Sequence, residues 1–170
     1  KTLGVIGMGR IGQAIARRCH YGFGMEVVYV NRSPKQPDMP ARALGSIEEL
    51  CAQADIVVIA TPGGAQTTHL IGAQALAAMQ RHAILVNISR GEVVEEAALI
   101  AALQAGQIAG AGLDVYEFEP DVPAALVAME NVVLLPHLGT ATLEVRTDMG
   151  MMALDNLEAF ARDGTLLNPV

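Results

Sequence analysis

The chain alternates short apolar runs with segments of helical periodicity. Six runs rich in Val, Ile and Leu lack regular polar alternation, which is typical of strands in a sheet covered on both faces. These predicted strands are Leu3–Ile6, Val27–Val30, Ile56–Ala60, Ile84–Ile88, Gly110–Val115 and Val132–Leu135. The predicted helices are Ile11–His20, Ser46–Ala54, Gln74–Met79, Glu92–Ala105 and Thr142–Arg162. The alternation predicts an α/β Rossmann fold, a doubly wound, mainly parallel sheet with helices on both faces.

Local signals support several of these boundaries. Ser46 followed by Glu49 has the form of a capping box at a helix start, and Gly106 lies where a helix would end. In the first helix, the spacing places Ile11, Ala14, Ile15 and Cys19 on one face. Three prolines after the second strand predict a loop there.

Composition narrows the class of protein. With 170 residues, 52% hydrophobic and 17% charged, the chain is long enough to bury a sizeable core. The formal net charge is −7 and the 11 basic residues are scattered, which argues against nucleic acid as a partner. No apolar run approaches the ~18 residues of a membrane span, so we expect no membrane partner.

The two cysteines, Cys19 and Cys51, show neither disulfide nor metal-ligand spacing. We therefore expect free, buried thiols, no metal site and a cytoplasmic location. The sequence opens directly on a predicted strand and stops after a helical pattern. We interpret residues 1–170 as one dinucleotide-binding domain, a part of a longer protein.

A glycine-rich turn lies between the first strand and the first helix. Gly7 permits a tight turn, Gly9 lets a diphosphate approach the backbone, and Gly12 lets the helix pack closely on the strand. The helix start at Arg10 and Ile11 adds backbone N–H groups and the positive end of the helix dipole. A glycine turn with only a structural role is the alternative, but the flanking strand, helix and next strand favour dinucleotide binding.

The end of the second strand indicates which dinucleotide is bound. An NAD site normally has an acidic residue here that bonds the ribose 2′-hydroxyl, whereas this chain has Asn31, Arg32 and Ser33. A guanidinium can hold a 2′-phosphate, with Asn and Ser as further donors. We predict a preference for NADP (NADPH), with NAD possible; the alternative is that Arg32 is only a solvated loop residue.

Three further strand ends carry polar residues that suit catalysis. Arg90, Glu119 and His137 follow the predicted strands that end at 88, 115 and 135. In an open α/β sheet, ligands bind beyond the carboxyl ends of the strands, so these side chains are candidates for one site. Each also has a simpler explanation, as a surface charge, a turn residue or a loop histidine.

The sequence resembles the D-isomer-specific 2-hydroxyacid dehydrogenases, and more narrowly their glyoxylate and hydroxypyruvate reductases. The resemblance covers essentially the whole chain. It rests on four ordered motifs: Gly-Met-Gly-Arg-Ile-Gly, Val-Asn-Ile-Ser-Arg-Gly, Gly-Leu-Asp-Val-Tyr-Glu-Phe-Glu-Pro and Leu-Pro-His-Leu-Gly-Thr-Ala-Thr.

The resemblance implies that Arg90, Glu119 and His137 form a catalytic set. His137 would protonate the oxygen of a 2-keto acid as hydride reaches its carbon, and Glu119 would orient the imidazole and favour its charged form. Arg90 would bind the substrate carboxylate with its planar fork of donors. The implied activity is NADPH-dependent reduction of a small 2-keto acid, of the glyoxylate or hydroxypyruvate class, to the 2-hydroxy acid.

By the same resemblance, Asp114 should contact the nicotinamide carboxamide, and four further residues should shape the cofactor pocket. These four are Thr61, Pro62, Ile88 and Gly139. The segment after Thr61–Pro62 departs from the His-Pro of many relatives, which puts contacts from that loop in doubt. The histidines 20, 69 and 82 match no family motif, and we interpret them as solvated.

The family usually carries a second domain that closes the cleft, so we expect this chain alone to reduce keto acids poorly. We expect a homodimer formed through this domain, to which the predicted helix Thr142–Arg162 contributes. The alternative is that this helix packs on its own sheet. A nucleotide-sensing corepressor is the main functional alternative, but it usually has the acidic residue that is missing here. A third possibility is a regulatory nucleotide-binding module of a transporter, but it would not explain the presence of Arg90, Glu119 and His137 at family spacing.

Overall fold

The computed structural model describes residues 1–169 and consists of two compact units, Lys1–Pro136 and His137–Val170. The first unit contains one seven-stranded sheet with the order β3-β2-β1-β4-β5-β6-β7, in which every pairing is parallel. The strands are β1 (Thr2–Ile6), β2 (Glu26–Val30), β3 (Arg42–Ala43), β4 (Ile56–Ile59), β5 (Ile84–Asn87), β6 (Gly110–Leu113) and β7 (Val132–Leu134). The predicted Rossmann fold is confirmed.

Five helices belong to the first unit. They are α1 (Arg10–Phe23), α2 (Ile47–Gln53), α3 (Ala73–Ala78), α4 (Glu96–Gln104) and α5 (Ala124–Val127), with a 3₁₀ turn at Gly91–Val93. Two buried clusters lie on opposite faces of the sheet, because alternate residues of a strand point to opposite sides. One cluster contains Leu50 of α2, Leu76 of α3 and Leu99 of α4, and the other contains Ala16 of α1.

Several predicted boundaries are confirmed with their local cause. The Ser46 hydroxyl accepts a hydrogen bond from the Glu49 amide at 3.1 Å, and Gly106 follows α4 with a φ of +61°. The Glu49 carboxylate, however, accepts from the amide of Gly45 at 3.0 Å rather than from that of Ser46. The serine cap was therefore predictable, whereas the partner of the glutamate was not.

Other predictions were wrong in detail. The helix predicted over Glu92–Ala105 is interrupted, because Val94 forms a parallel bridge with Ile71 before α4 begins. On the face predicted for the first helix, Ile15 and Cys19 pack against the core beside Ala16, whereas Ile11 is 61% exposed. Short β3 and α5 were missed, because neither contains a long enough periodic pattern.

The second unit contains α6 (Leu143–Asp163). Thr142 caps its start by accepting from the Val145 amide, and Gly164 ends it with a φ of +77°. Most large apolar side chains of α6 are exposed, among them Leu143 (79%) and Leu157 (66%). Within residues 1–169, no helix combines the length and apolarity that crossing a membrane requires.

Two histidines make contacts at opposite edges of the sheet that the sequence did not suggest. At the amino edge, the Asp55 carboxylate accepts hydrogen bonds from the Lys1 side chain (2.8 Å), the Thr2 amide (2.6 Å) and His82 (2.6 Å). These bonds, led by the one from Lys1, hold the pKa of Asp55 well below its usual range. His69 contacts a carboxylate at the other edge, so both histidines are exposed, as predicted, and each also has a carboxylate partner.

We predict that Asp55→Asn destabilises the protein by about 1 kcal/mol at pH 7, since charge-assisted bonds from the exposed side chains of Lys1 and His82 are worth little more. A depressed folded pKa stabilises above the unfolded pKa, so the difference from wild type should shrink as the pH falls below about 4. Urea unfolding across this range measures it. A difference that does not change with pH would contradict the assignment, and Asp121→Asn, at an exposed turn, is the control.

Candidate functional site

The glycine turn after β1 holds the start of α1 against the sheet. A Cβ on Gly12 would lie 2.1 Å from the carbonyl oxygen of Gly7, and a Cβ on Gly7 would lie 2.7 Å from that of Ala60. Gly7 also has a φ of +98°, which side chains rarely tolerate. A Cβ on Gly9, in contrast, would meet nothing within 4 Å. Gly7 and Gly12 are thus required by packing, and Gly9 leaves open space above the turn.

Two hydrogen bonds join this turn to the end of β2. The Gly7 amide donates to the Val30 carbonyl at 2.9 Å, and the Met8 amide donates to the Asn31 side chain at 2.8 Å. The Asn31 side-chain amide group donates in turn to the carbonyl oxygen of Ser33 at 2.8 Å. Asn31, predicted as a phosphate donor, therefore has protein partners at both ends of its side chain and positions the turn.

The start of α1 has the electrostatics of an anion site. Its N-cap residue is Gly9, no described side chain caps it, and its first turn has no acidic residue. Arg10 and Ile11 in this turn are exposed. Backbone N–H groups at such a helix start lack intrahelical partners and carry the positive end of the helix dipole. These groups can bind a diphosphate without meeting a competing carboxylate.

A cavity of about 470 Å³ opens beside the glycine turn. Seven predicted cofactor residues line it: Gly7, Gly9, Asn31, Arg32, Ser33, Thr61 and Pro62. The lining also includes residues that sequence reasoning missed, namely Lys35, Gln66, Thr67, Ile47 and Leu70. Five of the predicted cofactor residues lie outside this lining: Arg10, Ile11, Gly12, Ile88 and Asp114. Another, Gly139, belongs to the second unit.

The cavity is cationic on one side. Among the described residues that line it, Arg32 and Lys35 are positively charged and none is Asp or Glu. The Arg32 guanidinium donates to the side-chain oxygen of Gln66 at 2.6 Å, which joins the loops after β2 and β4. Because an amide rather than a carboxylate accepts this bond, the charge of Arg32 is not neutralised by its partner.

The wall of the cavity contains an unsatisfied polar atom. The Thr61 hydroxyl is buried and has no hydrogen-bond partner in the part of the chain that the structure describes. Buried polar atoms without partners are rare in folded proteins, and one beside a cavity is consistent with a bound group that completes its hydrogen bonding. Together with the open space above Gly9, this feature makes the cavity a good fit for a dinucleotide.

The segment that carries Arg90 is held by a buried asparagine. Asn87, which is 1% exposed, accepts from the Ser89 amide at 3.0 Å and donates to the Arg90 carbonyl at 3.0 Å. Arg90 itself is exposed, and its guanidinium donates to the Ser89 carbonyl at 2.7 Å. The backbone at this strand end is thus fixed, while most donors of the guanidinium remain available to a ligand.

The segment that carries Glu119 lies directly against the one that carries Arg90. A Cβ on Gly91 would lie 1.9 Å from the carbonyl oxygen of Tyr116, so only glycine permits this contact between the two backbones. A carboxylate oxygen of Glu119 accepts from the Tyr116 amide at 3.0 Å. The structure therefore brings together the segments of two predicted catalytic residues, and it places His137, with a φ of +54°, at the start of the second unit.

A cluster of ionisable residues that the sequence did not suggest lies behind these segments. His69 Nε2 lies 2.6 Å from Glu117 Oε1, and the other carboxylate oxygen of Glu117 accepts from the Glu96 amide at 3.1 Å. The Glu96 carboxylate accepts from the Glu117 amide at 3.4 Å. Hydrogen bonding to Glu117 raises the pKa of His69, and burial raises that of Glu96. No spacing rule links residues 69, 96 and 117, so only the fold reveals the cluster.

Comparison with known proteins agrees with this geometry. Residues 1–139 match the family described as D-isomer specific 2-hydroxyacid dehydrogenase, NAD binding domain. A glyoxylate/hydroxypyruvate reductase B from Yersinia pestis (strain Pestoides F) is 50% identical over 161 residues, which cover 92% of this chain and 49% of that protein. The chain thus spans about half the length of the curated relatives it matches.

Solved structures show the same similarity. An NADPH-dependent glyoxylate/hydroxypyruvate reductase from Sinorhizobium meliloti, in complex with NADP and malonate, has a TM-score of 0.96 and 41% identity, covering 100% of this chain and 53% of that one. The holo form of D-mandelate dehydrogenase from Rhodotorula graminis has a TM-score of 0.95 and 36% identity, covering 99% and 50%. The family resemblance inferred from the motifs is confirmed. The chain belongs to the D-isomer specific 2-hydroxyacid dehydrogenase family and matches its NAD-binding domain.

Proposed function

We propose that this chain is the cofactor-binding part of an enzyme that uses NADPH to reduce a small 2-keto acid, of the glyoxylate or hydroxypyruvate class, to the 2-hydroxy acid. The observation that carries the proposal is the cavity beside the glycine turn, whose described lining contains Arg32 and Lys35 but no carboxylate. A 2′-phosphate carries negative charge, so this lining favours it over a bare ribose hydroxyl.

Within this proposal the start of α1 holds the diphosphate, and the open space above Gly9 lets it approach the backbone. Arg32 and Ser33 bind the 2′-phosphate, and Gln66 orients the Arg32 guanidinium from the opposite loop. NAD would bind through the same diphosphate contacts but would gain nothing from Arg32. NADP is therefore the preferred cofactor and NAD a weaker one. The proposed contacts with the nicotinamide end of the cofactor come from Asp114, Ile88 and Gly139.

We assign the catalytic roles to Arg90, Glu119 and His137. When bound, the reduced nicotinamide supplies hydride to the keto carbon. Arg90 binds the substrate carboxylate through paired N–H donors, which a lysine could not reproduce. His137 donates a proton to the developing alkoxide oxygen, and Glu119 orients its imidazole. The bond to the Tyr116 amide fixes one oxygen of Glu119 within its own segment.

The names of the relatives support the substrate class. Several are glyoxylate/hydroxypyruvate reductases, one of which is described as NADPH-dependent and as bound to NADP and malonate. The mandelate dehydrogenase is also similar in fold, so the fold alone does not select the acid. We attribute substrate choice to parts of the protein that meet Arg90 from the other side of the cleft.

We further propose that the complete enzyme has a second domain that closes this cleft and that it is a homodimer in the cytoplasm. The chain covers only about half of its curated relatives, and closure requires a second wall. The exposed apolar side chains of α6, Leu143 and Leu157 among them, suit contact with a second copy. Both cysteines are free, as is usual in a reducing compartment.

The position of the diphosphate can be tested with a methyl group. Gly9→Ala should leave the thermal midpoint within about 2 °C of wild type, because the Cβ meets no protein atom. It should weaken NADP binding by about 10-fold or more, or ~1.4 kcal/mol, because the Cβ occupies the path of the diphosphate. Calorimetric titration measures the affinity.

Gly22→Ala, near the other end of α1 with equally open space, is the matched control. Unchanged affinity in Gly9→Ala would place the diphosphate elsewhere.

The cofactor preference can be tested at one side chain. Arg32→Ala should weaken NADP binding by roughly 10- to 100-fold, equivalent to the ~1.5–3 kcal/mol of charged hydrogen bonds, and should change NAD binding much less. The ratio of the two dissociation constants is the measurement. Arg81→Ala removes an equal charge from an exposed site outside the cavity lining and should leave the ratio unchanged. Equal losses for both nucleotides would remove the NADP assignment.

In the complete natural protein, His137→Ala should lower kcat by about 10²- to 10⁴-fold, the usual contribution of a general acid, with little change in NADPH affinity. Steady-state kinetics with glyoxylate and hydroxypyruvate, combined with nucleotide binding, separates the two effects. A variant with wild-type turnover would refute the role of His137.

A further inference from the structure

We infer that Glu117 is a positioning residue for the proposed reaction: its carboxylate ties together three strand-end segments and thereby holds the segment that carries Glu119. This inference rests on the role proposed above for Glu119. It assigns Glu117 no contact with substrate or cofactor.

The carboxylate of Glu117 is engaged at both oxygens by different parts of the chain. One oxygen lies 2.6 Å from Nε2 of His69, which follows β4, and the other accepts from the Glu96 amide at the start of α4. The Glu117 side chain is only 13% exposed. Glu117 itself follows β6, so a single side chain links the segments after β4, β5 and β6.

The contact with α4 is reciprocal and electrostatically favourable. Glu95, the N-cap residue of α4, does not cap the helix with its own side chain, and the Glu117 carboxylate instead accepts from the first helical amide. A negative charge at the positive end of a helix is stabilising. The Glu96 carboxylate, which is buried, accepts from the Glu117 amide, so side chain and backbone of the two residues hold each other.

His69 and Glu117 shift each other's pKa through their hydrogen bond. Burial alone would raise the pKa of Glu117, but the hydrogen bonds from His69 and from the Glu96 amide outweigh it and leave that pKa lowered. His69 also lies near the charge of Glu95, which raises its pKa further. The backbone of His69 is itself fixed, because its amide donates to the Glu92 carbonyl at 2.7 Å. The backbone position of the His69 imidazole is thus fixed where it can contact Glu117.

The link to the proposed catalytic residues is direct. Glu117 follows Tyr116, whose amide donates to Glu119 and whose carbonyl packs against Gly91, the neighbour of Arg90. The peptide between Tyr116 and Glu117 therefore lies between the two segments that carry Arg90 and Glu119. If the Glu117 carboxylate is lost, its contacts with His69 and with the Glu96 amide are lost, and the bond from the Glu117 amide to the Glu96 carboxylate at 3.4 Å alone holds this peptide from the α4 side, so the Glu119 carboxylate moves. Displacements of about 1 Å can cost roughly 100-fold in rate.

The test is a graded series in the complete natural protein. Glu117→Gln keeps one acceptor oxygen and the packing volume, whereas Glu117→Ala removes both contacts. We expect kcat for glyoxylate reduction to fall about 3-fold in Glu117→Gln and at least about 10-fold in Glu117→Ala, with the KM for NADPH changed less than about 2-fold. His69→Asn should resemble Glu117→Gln, because Asn tolerates the positive φ at this position but cannot reach Glu117.

Hydrogen exchange gives a readout that does not depend on catalysis. The Tyr116 amide should exchange most slowly in the wild type, faster in Glu117→Gln and fastest in Glu117→Ala. The control Glu130→Gln neutralises an exposed carboxylate of the same unit and should change neither the exchange rate nor kcat. Wild-type exchange and wild-type kcat in Glu117→Gln and His69→Asn would overturn the inference. A wild-type protein that reduces no 2-keto acid would refute the proposed function instead, and the exchange series would still decide whether Glu117 holds this segment.

Discussion

The close contact between the start of α1 and the end of β1 is the constraint on which the site depends. Because Gly12 lies against the carbonyl of Gly7, the helix start comes within reach of the sheet edge and leaves its N–H groups directed at open space. The third glycine, Gly9, has no packing reason to lack a side chain, which is why a ligand is the best explanation for it.

The carboxyl edge of the sheet is built as an interlocked set of segments rather than as separate loops. Gly91 permits backbone contact with Tyr116, Asn87 fixes the segment of Arg90, and the cluster of His69, Glu96 and Glu117 supports both from behind. A rigid frame of this kind suits catalysis, since reacting groups must be held to within a fraction of an ångström. The exposed side chains proposed to act on substrate are thus supported by groups that take no part in the proposed reaction.

Features that depend on local pattern were predictable from the sequence, and features that depend on distant contacts were not. The six long strands, the glycine turn and the Ser46 cap follow from periodicity and from the conformational needs of single residues. The interruption before α4 depends on pairing of Val94 with Ile71, and the contact of Gln66 with Arg32 joins residues 34 positions apart. Helical periodicity groups Ile11 with Ala14, Ile15 and Cys19, but it does not reveal that Ile11 is 61% exposed in the first turn of α1.

A crystal structure of the protein with NADP would show directly whether the glycine turn holds the diphosphate. We expect diphosphate oxygens within ~3 Å of the backbone amides at the start of α1, above Gly9, and the 2′-phosphate in contact with Arg32. A diphosphate bound away from the glycine turn, or a 2′-phosphate directed away from Arg32, would contradict it.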